Sequence, residues 1–411
     1  MKTRAQADVS RRLHFLPLAV AFAMIVQGGV TAEERYERYY NELPQHPDMQ
    51  FTSWAEGAEG IAHDSNCWFI TQAHDQNSIL WKIPVGADLA TVDANSPGVL
   101  TKQYNQIGAL IGAGLWHFGD LDYREYGDKR YVFVGVSNWD CIPPNISPPG
   151  VAVFDADTLD LIDYCHWPYS LTCDNNTEWA WCAFDAQGFL CGAHQVGSSM
   201  HRAVVDWDVL YNALVLVLTP TNELVIVDQD GAPANISWWI QGGKFTPSGD
   251  MLYLSTGAGI AVFDCSSRTN AVFVKLSCNG DKTECFPEHF VFQFDPDWPV
   301  SQEPEGLAIW DVDDMNAPGI KGQLHVLLLD NEVGDDNVWI WNYTQTLYVD
   351  RASISGDGTP QYPYPTVTGA AVNAWAGCQL KIKGGSYPES VTFSNKMQVL
   401  SWGGNTVTIG Q

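Results

Sequence analysis

Acidic, amide and imidazole side chains recur in this sequence beside short apolar runs: Glu59, His63 and His74; His117, Asp120 and Asn138; Glu178 and His194; Gln241; then Glu305, Asp330 and Asn331. Brought to one funnel, such oxygen donors would suit Ca²⁺, which takes about six to eight hard ligands. Glu59, Asp120, Glu305 and Asn331 are the expected ligands. The same carboxylates have a second use, which is to receive strand-end backbone N–H groups and hold neighbouring sheets together. The familiar catalytic signatures are missing: there is no G-x-S-x-G elbow, HExxH, P-loop or helix-opening GxGxxG. Ser198, Ser199 and His201 stand close together, yet nothing sets them up as nucleophile and base, and turn positions suit them better. Asp311 to Asn316 lacks the Gly and terminal Glu of an EF-hand and reads as an extended hairpin on the face opposite the funnel. Trp139, Trp167 and Trp298, in loops, could stack on sugar rings, with packing between sheets the alternative for each.

These residues need a frame that repeats. Gly60, Gly119, Ala180, Gly242 and Gly306 open successive units at intervals of 59, 61, 62 and 64 residues, and a near-constant period is read before any single motif. Each mark is followed by short aromatic and β-branched runs bounded by turn residues, the profile of strands. Gly150-Val151-Ala152-Val153-Phe154-Asp155 and Gly259-Ile260-Ala261-Val262-Phe263-Asp264 are nearly one hexapeptide. Four-stranded antiparallel units repeated in this way predict an all-β, five-bladed β-propeller over residues 51–346, or a six-bladed one if Tyr211 to Asp230 holds a partial blade. In such a ring the inner strand starts at one face and the second strand returns to it. The polar residues named above would therefore line one mouth of the channel. The last blade lacks a fourth strand before residue 347, and Gln50 to Trp54 is expected to supply it.

Glu59-Gly60-Ile61 and Glu305-Gly306-Leu307 resemble the Glu-Gly step of regucalcin and gluconolactonase-like propellers, which implies glutamates bound to a channel metal. Phe118, Trp179 and Gln241 occupy the matching position in the other units. A different pattern fills residues 347–411. Leu347 to Asp350, the Gly358-Thr359 turn, Ala371-Val372 and Gly385-Ser386-Tyr387-Pro388-Glu389 resemble the opening of a pectin-lyase-like right-handed parallel β-helix. That family's catalytic residues lie on later coils, so none carries over. The final coil, ending Val407-Thr408-Ile409, is expected to leave an open edge, with Val407 and Ile409 as partner contacts.

Residues 1–32 read as a secretory signal, with Lys2, Arg4, Arg11 and Arg12 before the apolar run Phe15 to Val26 and an A-x-A-like site at Val30-Thr31-Ala32. Residues 33–50 read as a polar lead-in helix or arm. The run is shorter than the ~20 residues of a spanning helix, and nothing later could span. Export implies a secreted or periplasmic protein, in which the ten cysteines favour disulfides over zinc. Asn145, Asn175, Asn235 and Asn342 are glycosylation sequons. A net charge of −27 excludes nucleic acid and anionic membranes as natural partners. Three functions are consistent with these residues. The favoured one is an extracellular binding or assembly protein whose C-terminal segment contacts a protein partner or a copy of itself. The others are a calcium-dependent propeller hydrolase or lactonase, and a module for polysaccharide surfaces.

Overall fold

Valine, isoleucine and aromatic residues fill most positions of the middle strands, because both faces of those strands are buried. In β7 (Lys129–Ser137), Val132, Val134 and Val136 pack with Phe69 and Leu80 from one side, while Tyr131 and Phe133 pack with Phe184 and Leu190 from the other. Alternate side chains of one strand thus reach two different neighbouring sheets. The computed structural model describes the backbone of residues 36–42 and, with short interruptions, residues 53–104, 117–137, 149–167, 181–193, 198–276, 302–330 and 337–410.

Blade one is β2 (Ala58–His63), β3 (Cys67–His74), β4 (Asn77–Pro84) and β5 (Leu100–Gln103). Blade two is β6 (His117–Tyr126), β7, β8 (Gly150–Asp155) and β9 (Leu161–His166). Blade three is β10 (Ala183–Phe184), β11 (Phe189–Gly192), β12 (Ser199–Val205) and β13 (Leu218–Pro220). Helix α1 (Trp207–Ala213) precedes β13, capped by Asp206, which accepts the Val209 N–H. Blade four is β15 (Ile240–Phe245), β16 (Met251–Thr256), β17 (Gly259–Asp264) and β18 (Asn270–Leu276). β14 (Leu224–Val227) pairs with both β12 and β18, so blades three and four share one sheet. Blade five is β19 (Gln302–Ile309), β20 (Leu324–Asp330), β21 (Asn337–Tyr343) and β1 (Tyr36–Glu42).

Five apolar clusters occupy the five seams between blades, so the ring closes at five. Leu327 and Ile340 meet Ile61 and Trp68 across the seam between blades five and one, while Val326 and Trp339 meet Tyr253 and Val262 across the seam to blade four. A sixth blade is excluded, because Tyr211 to Asp230 supplies the end of α1 together with β13 and β14, which belong to blades three and four. The chain's N-terminal side does complete blade five, as expected. The strand that does so is β1, which pairs antiparallel with β21 from Tyr36↔Tyr343 to Glu42↔Asn337, within the segment read as a lead-in arm, and not Gln50 to Trp54.

After the ring come β22 (Thr346–Val349), helix α2 (Val367–Asn373), β23 (Cys378–Tyr387) and β24 (Met397–Ile409). The three strands form one parallel sheet in chain order. Further sheets of a β-helix are not among the described elements. β24 is the edge strand and is largely exposed, Val399 and Leu400 included, while Val407 and Ile409 pack half-buried against the cluster of Leu347, Val349, Leu380 and Ile382. Trp375 enters the blade-five seam with Tyr253, Trp339 and Trp341, and Lys396 pairs with Asp311 and Asp314.

The secretory segment and Asn145, Asn175 and Asn235 lie outside the described residues. Asn342 is fully buried, with its amide donating to the Ile340 carbonyl, and so offers no room for a glycan. Cys67, Cys165, Cys182, Cys191, Cys265 and Cys378 are free thiols, against the disulfide framework expected of them. Among the described residues no helix is long and apolar enough to cross a membrane.

The repeat's glycines have a steric cause. A Cβ on Gly306 would lie 2.5 Å from Gly60 Cα, 2.6 Å from the Asp120 Oδ1 and 2.6 Å from the Ile61 N. Gly306→Ala is therefore expected to cost about 2–3 kcal/mol through overpacking, measured by urea unfolding. Unchanged stability would mean the inner strands are not in contact at the axis.

Candidate functional site

A β-bulge interrupts each of four inner strands at the repeat mark: at Glu59 in β2, Gly119-Asp120 in β6, Gln241 in β15 and Glu305-Gly306 in β19. A bulge re-aims the side chain it carries. That local irregularity is why Glu59, Asp120, Gln241 and Glu305 converge on the axis.

Asp120 is fully buried at the centre. Its Oδ1 accepts the Ile61 N–H at 3.1 Å, and its Oδ2 accepts those of Gly243 at 3.0 Å and Leu307 at 3.3 Å. One carboxylate thus joins blades one, two, four and five. Burial pushes its pKa up to about 7, while Lys244 and the backbone N–H groups pull it back down.

Glu59, Glu305 and His117 form a second layer at the strand starts. Glu59 Oε2 lies 3.0 Å from His117 Nε2, and Gln241 Nε2 donates to Glu305 Oε1 at 3.3 Å. Glu305 is buried and hydrogen-bonded to both Glu59 and Glu303. Burial, then the negative charges of Glu59 and Glu303, hold its pKa well above the ordinary glutamate range and favour its protonated form. A carboxylic acid and a carboxylate in hydrogen-bond contact form an acid–base pair.

The arrangement does not suit calcium. Asp120 faces three N–H donors, which occupy the lone pairs a cation would need. Among the described residues no group of three or more His, Cys, Asp or Glu side chains is placed to hold a metal. Asn331, the fourth expected ligand, lies outside the described residues, as do Asn138, Glu178 and His194; of Asp330 and His74 only the backbone is described.

Several expected positions fall elsewhere. His63 ends β2 at the far side of the ring, where its ring nitrogens face the Asp64 and Ile309 carbonyls at 2.9 Å each and its plane stacks on Trp310. His201 pairs with Glu223 at 2.7 Å, which removes it as a base for Ser198 or Ser199. Trp167 is 2% exposed and belongs to the seam between blades two and three, so it is no sugar platform; Trp139 and Trp298 lie outside the described residues. The loop after β19 does lie opposite the funnel, tied down by Gln323 to Asp311 and Asp313. Glu303 and His117's pairing with Glu59 were missed as parts of an acid site. The signal available was the alternation Glu303-Pro304-Glu305, which puts two carboxyls close together once Glu305 is bulged.

No family model and no curated protein matches the chain. Solved structures similar to it include the GH43_1 enzyme from Xanthomonas citri complexed with xylotriose, at 12% identity and TM-score 0.41 over 72% of this chain and 89% of that one. Another is CoXyl43, a GH43 β-xylosidase/α-arabinofuranosidase from a compost microbial metagenome, solved with xylotriose in calcium-free form, at 13% identity and TM-score 0.44 over 80% and 99%. A third is the Myxococcus xanthus glutaminyl cyclase, at 8% identity and TM-score 0.38 over 75% and 97%. At these values each is a likeness of fold. The expectation of a non-catalytic binding or assembly protein is corrected nonetheless. The three similar structures just named are of enzymes, and Val407 and Ile409, expected as partner contacts, lie half-buried against the cluster of their own sheet.

Proposed function

We propose that the chain is a hydrolase of small cyclic esters, sugar lactones being the favoured class, acting at the mouth formed by Glu59, Glu305 and His117. The observation that carries this reading is the buried contact between the Glu305 and Glu59 carboxyls, which holds the Glu305 pKa well above the ordinary glutamate range. In the reaction Glu59 takes a proton from water as the water oxygen bonds to the lactone carbonyl carbon. Glu305 gives its proton to the ring oxygen as the ring C–O bond breaks, and the proton on Glu59 then passes to Glu305 across their hydrogen bond. His117 holds Glu59 in place, and Gln241 does the same for Glu305.

The contact between the two carboxyls argues against a glycosidase. Retaining enzymes need their pair about 5–5.5 Å apart and inverting ones about 6.5–9.5 Å apart. A proton-sharing pair suits attack of water on a carbonyl. The basic-then-apolar segment 1–32 supports export as the setting for this activity.

The experiment is a pH-stat assay with glucono-δ-lactone, and p-nitrophenyl β-xyloside as the contrasting probe. The lactone is expected to open faster than its spontaneous rate, and Glu59→Gln is expected to lower that rate by at least about 100-fold. A wild-type rate equal to the spontaneous one, or an undiminished Glu59→Gln enzyme, would overturn the proposal.

A further inference from the structure

The inner strands end at the opposite face, and about 3.3 Å of rise per residue puts His63 roughly 13 Å along β2 from Glu59. There a cavity of about 500 Å³ opens between blades two, three and four, within the range of about 300–1,000 Å³ usual for small-ligand sites. Phe184, Trp207, Phe245 and Ile309 give it an apolar wall, and Arg124 and Lys244 supply cations.

The charges in and behind this wall are unevenly paired. Lys244 is paired with Asp122, whose Oδ2 also accepts the Phe184 N–H at 2.7 Å. Asp185 is paired with Arg202 at 2.6 Å and accepts the Gln187 and Phe189 N–H groups. His63 has both ring nitrogens against carbonyls, and burial lowers its pKa to about 4, so it adds no charge at neutral pH. Arg124 shares the field of Asp122 with Lys244 but makes no ion-pair contact of its own among the described residues. Its guanidinium lies 5.0 Å over the Phe184 ring, which in turn stacks on Trp207, and Nη2 donates to the Phe184 carbonyl at 3.2 Å. Its Nε is buried with no hydrogen-bond partner, and among the described residues no carboxylate lies within ion-pair distance of it. A buried guanidinium N–H without an acceptor is costly, and the planar fork of arginine matches a carboxylate.

We propose that this cavity binds a ring-bearing monocarboxylate, with its carboxylate on Arg124 and its ring against Phe184, Trp207 and Phe245. One guanidinium without an ion-pair contact, already in the field of Asp122, calls for a single negative charge, which selects a carboxylate over a phosphate dianion. The ring is that of a uronic acid or an aromatic acid, two sources of the same chemistry.

Isothermal titration of the full chain with D-galacturonate and with benzoate, against galactose and benzyl alcohol as uncharged counterparts, tests this directly. At least one acid is expected to bind, and its neutral counterpart to bind about 10-fold or more weaker, the loss of a tenfold factor in Kd. The acid that binds identifies the ring. Arg124→Gln should weaken that acid by a similar factor and leave lactone hydrolysis unchanged, because Arg124 stands at the other end of the channel. Arg124→Lys, which keeps charge without the fork, should fall between the two and covers the case in which the glutamine variant does not fold. Absence of binding by both acids, equal binding of the neutral compounds, or wild-type affinity in Arg124→Gln would overturn the assignment. This readout is binding, so its failure is separate from a failure of the hydrolase reading.

Discussion

Glutamine in place of Glu305 is expected to slow lactone hydrolysis by about 10²–10⁴-fold in kcat, the usual contribution of one positioned proton donor. The side chain keeps its shape and can still accept from Gln241 Nε2, so KM should move little. What is lost is the proton, and Asp120 does not replace it, having its oxygens turned to the Ile61, Gly243 and Leu307 N–H groups. The pH profile gives a second readout. In the wild type, activity should fall as pH rises through the raised pKa of Glu305, because the donor then ionises. Glu305→Gln should show a low rate without that alkaline limb. A variant that keeps both rate and limb would assign the acid to another residue.

Alanine in place of Asp120 is expected to remove about 4 kcal/mol of stability in urea unfolding, since each buried N–H left without its acceptor costs about 1–3 kcal/mol. Three such donors are exposed at once, from blades one, four and five. Asp120 also sets a pH dependence. Its folded pKa, about 7, is raised above the ordinary aspartate value of 3.8, so the folded protein holds a proton that the unfolded chain has released. That contribution is complete below the unfolded value and is lost as pH climbs through about 7. Glu305 acts in the same direction. Stability should therefore decline from acid toward neutral pH, and Asp120→Asn should flatten part of the slope. A stability curve that rises over this range in the wild type would contradict the buried placement of both groups.

The ring was legible because Gly60, Gly119, Gly242 and Gly306 mark it, and the structure gives the reason: a side chain at Gly306 or Gly242 would collide with the next inner strand. Glu59, Asp120 and Glu305 were legible as one group for the same reason, since each neighbours such a mark. Their chemistry was not, because the raised pKa of Glu305 depends first on burial and then on Glu59, a neighbour from another blade. β1 was misread because Tyr36-Glu37-Arg38-Tyr39-Tyr40-Asn41-Glu42 is polar at most positions, and only its pairing with β21 makes it a strand. The tail does form parallel strands, as read, but only the three strands β22, β23 and β24 of one sheet are described. Docking of Trp375 beside Tyr253 is a contact across some 120 residues of chain, invisible to any local pattern. The cavity beside Arg124 was missed because its walls are strand ends from separate blades.

The most direct test is an NMR pH titration of the protein with ¹³C-labelled glutamate side-chain carboxyls, in the wild type and in Glu305→Gln. One carboxyl resonance is expected to remain in its protonated position past neutral pH and to be missing from the variant. If every glutamate instead ionises in the ordinary acidic range, Glu305 holds no proton to donate and the hydrolase account fails.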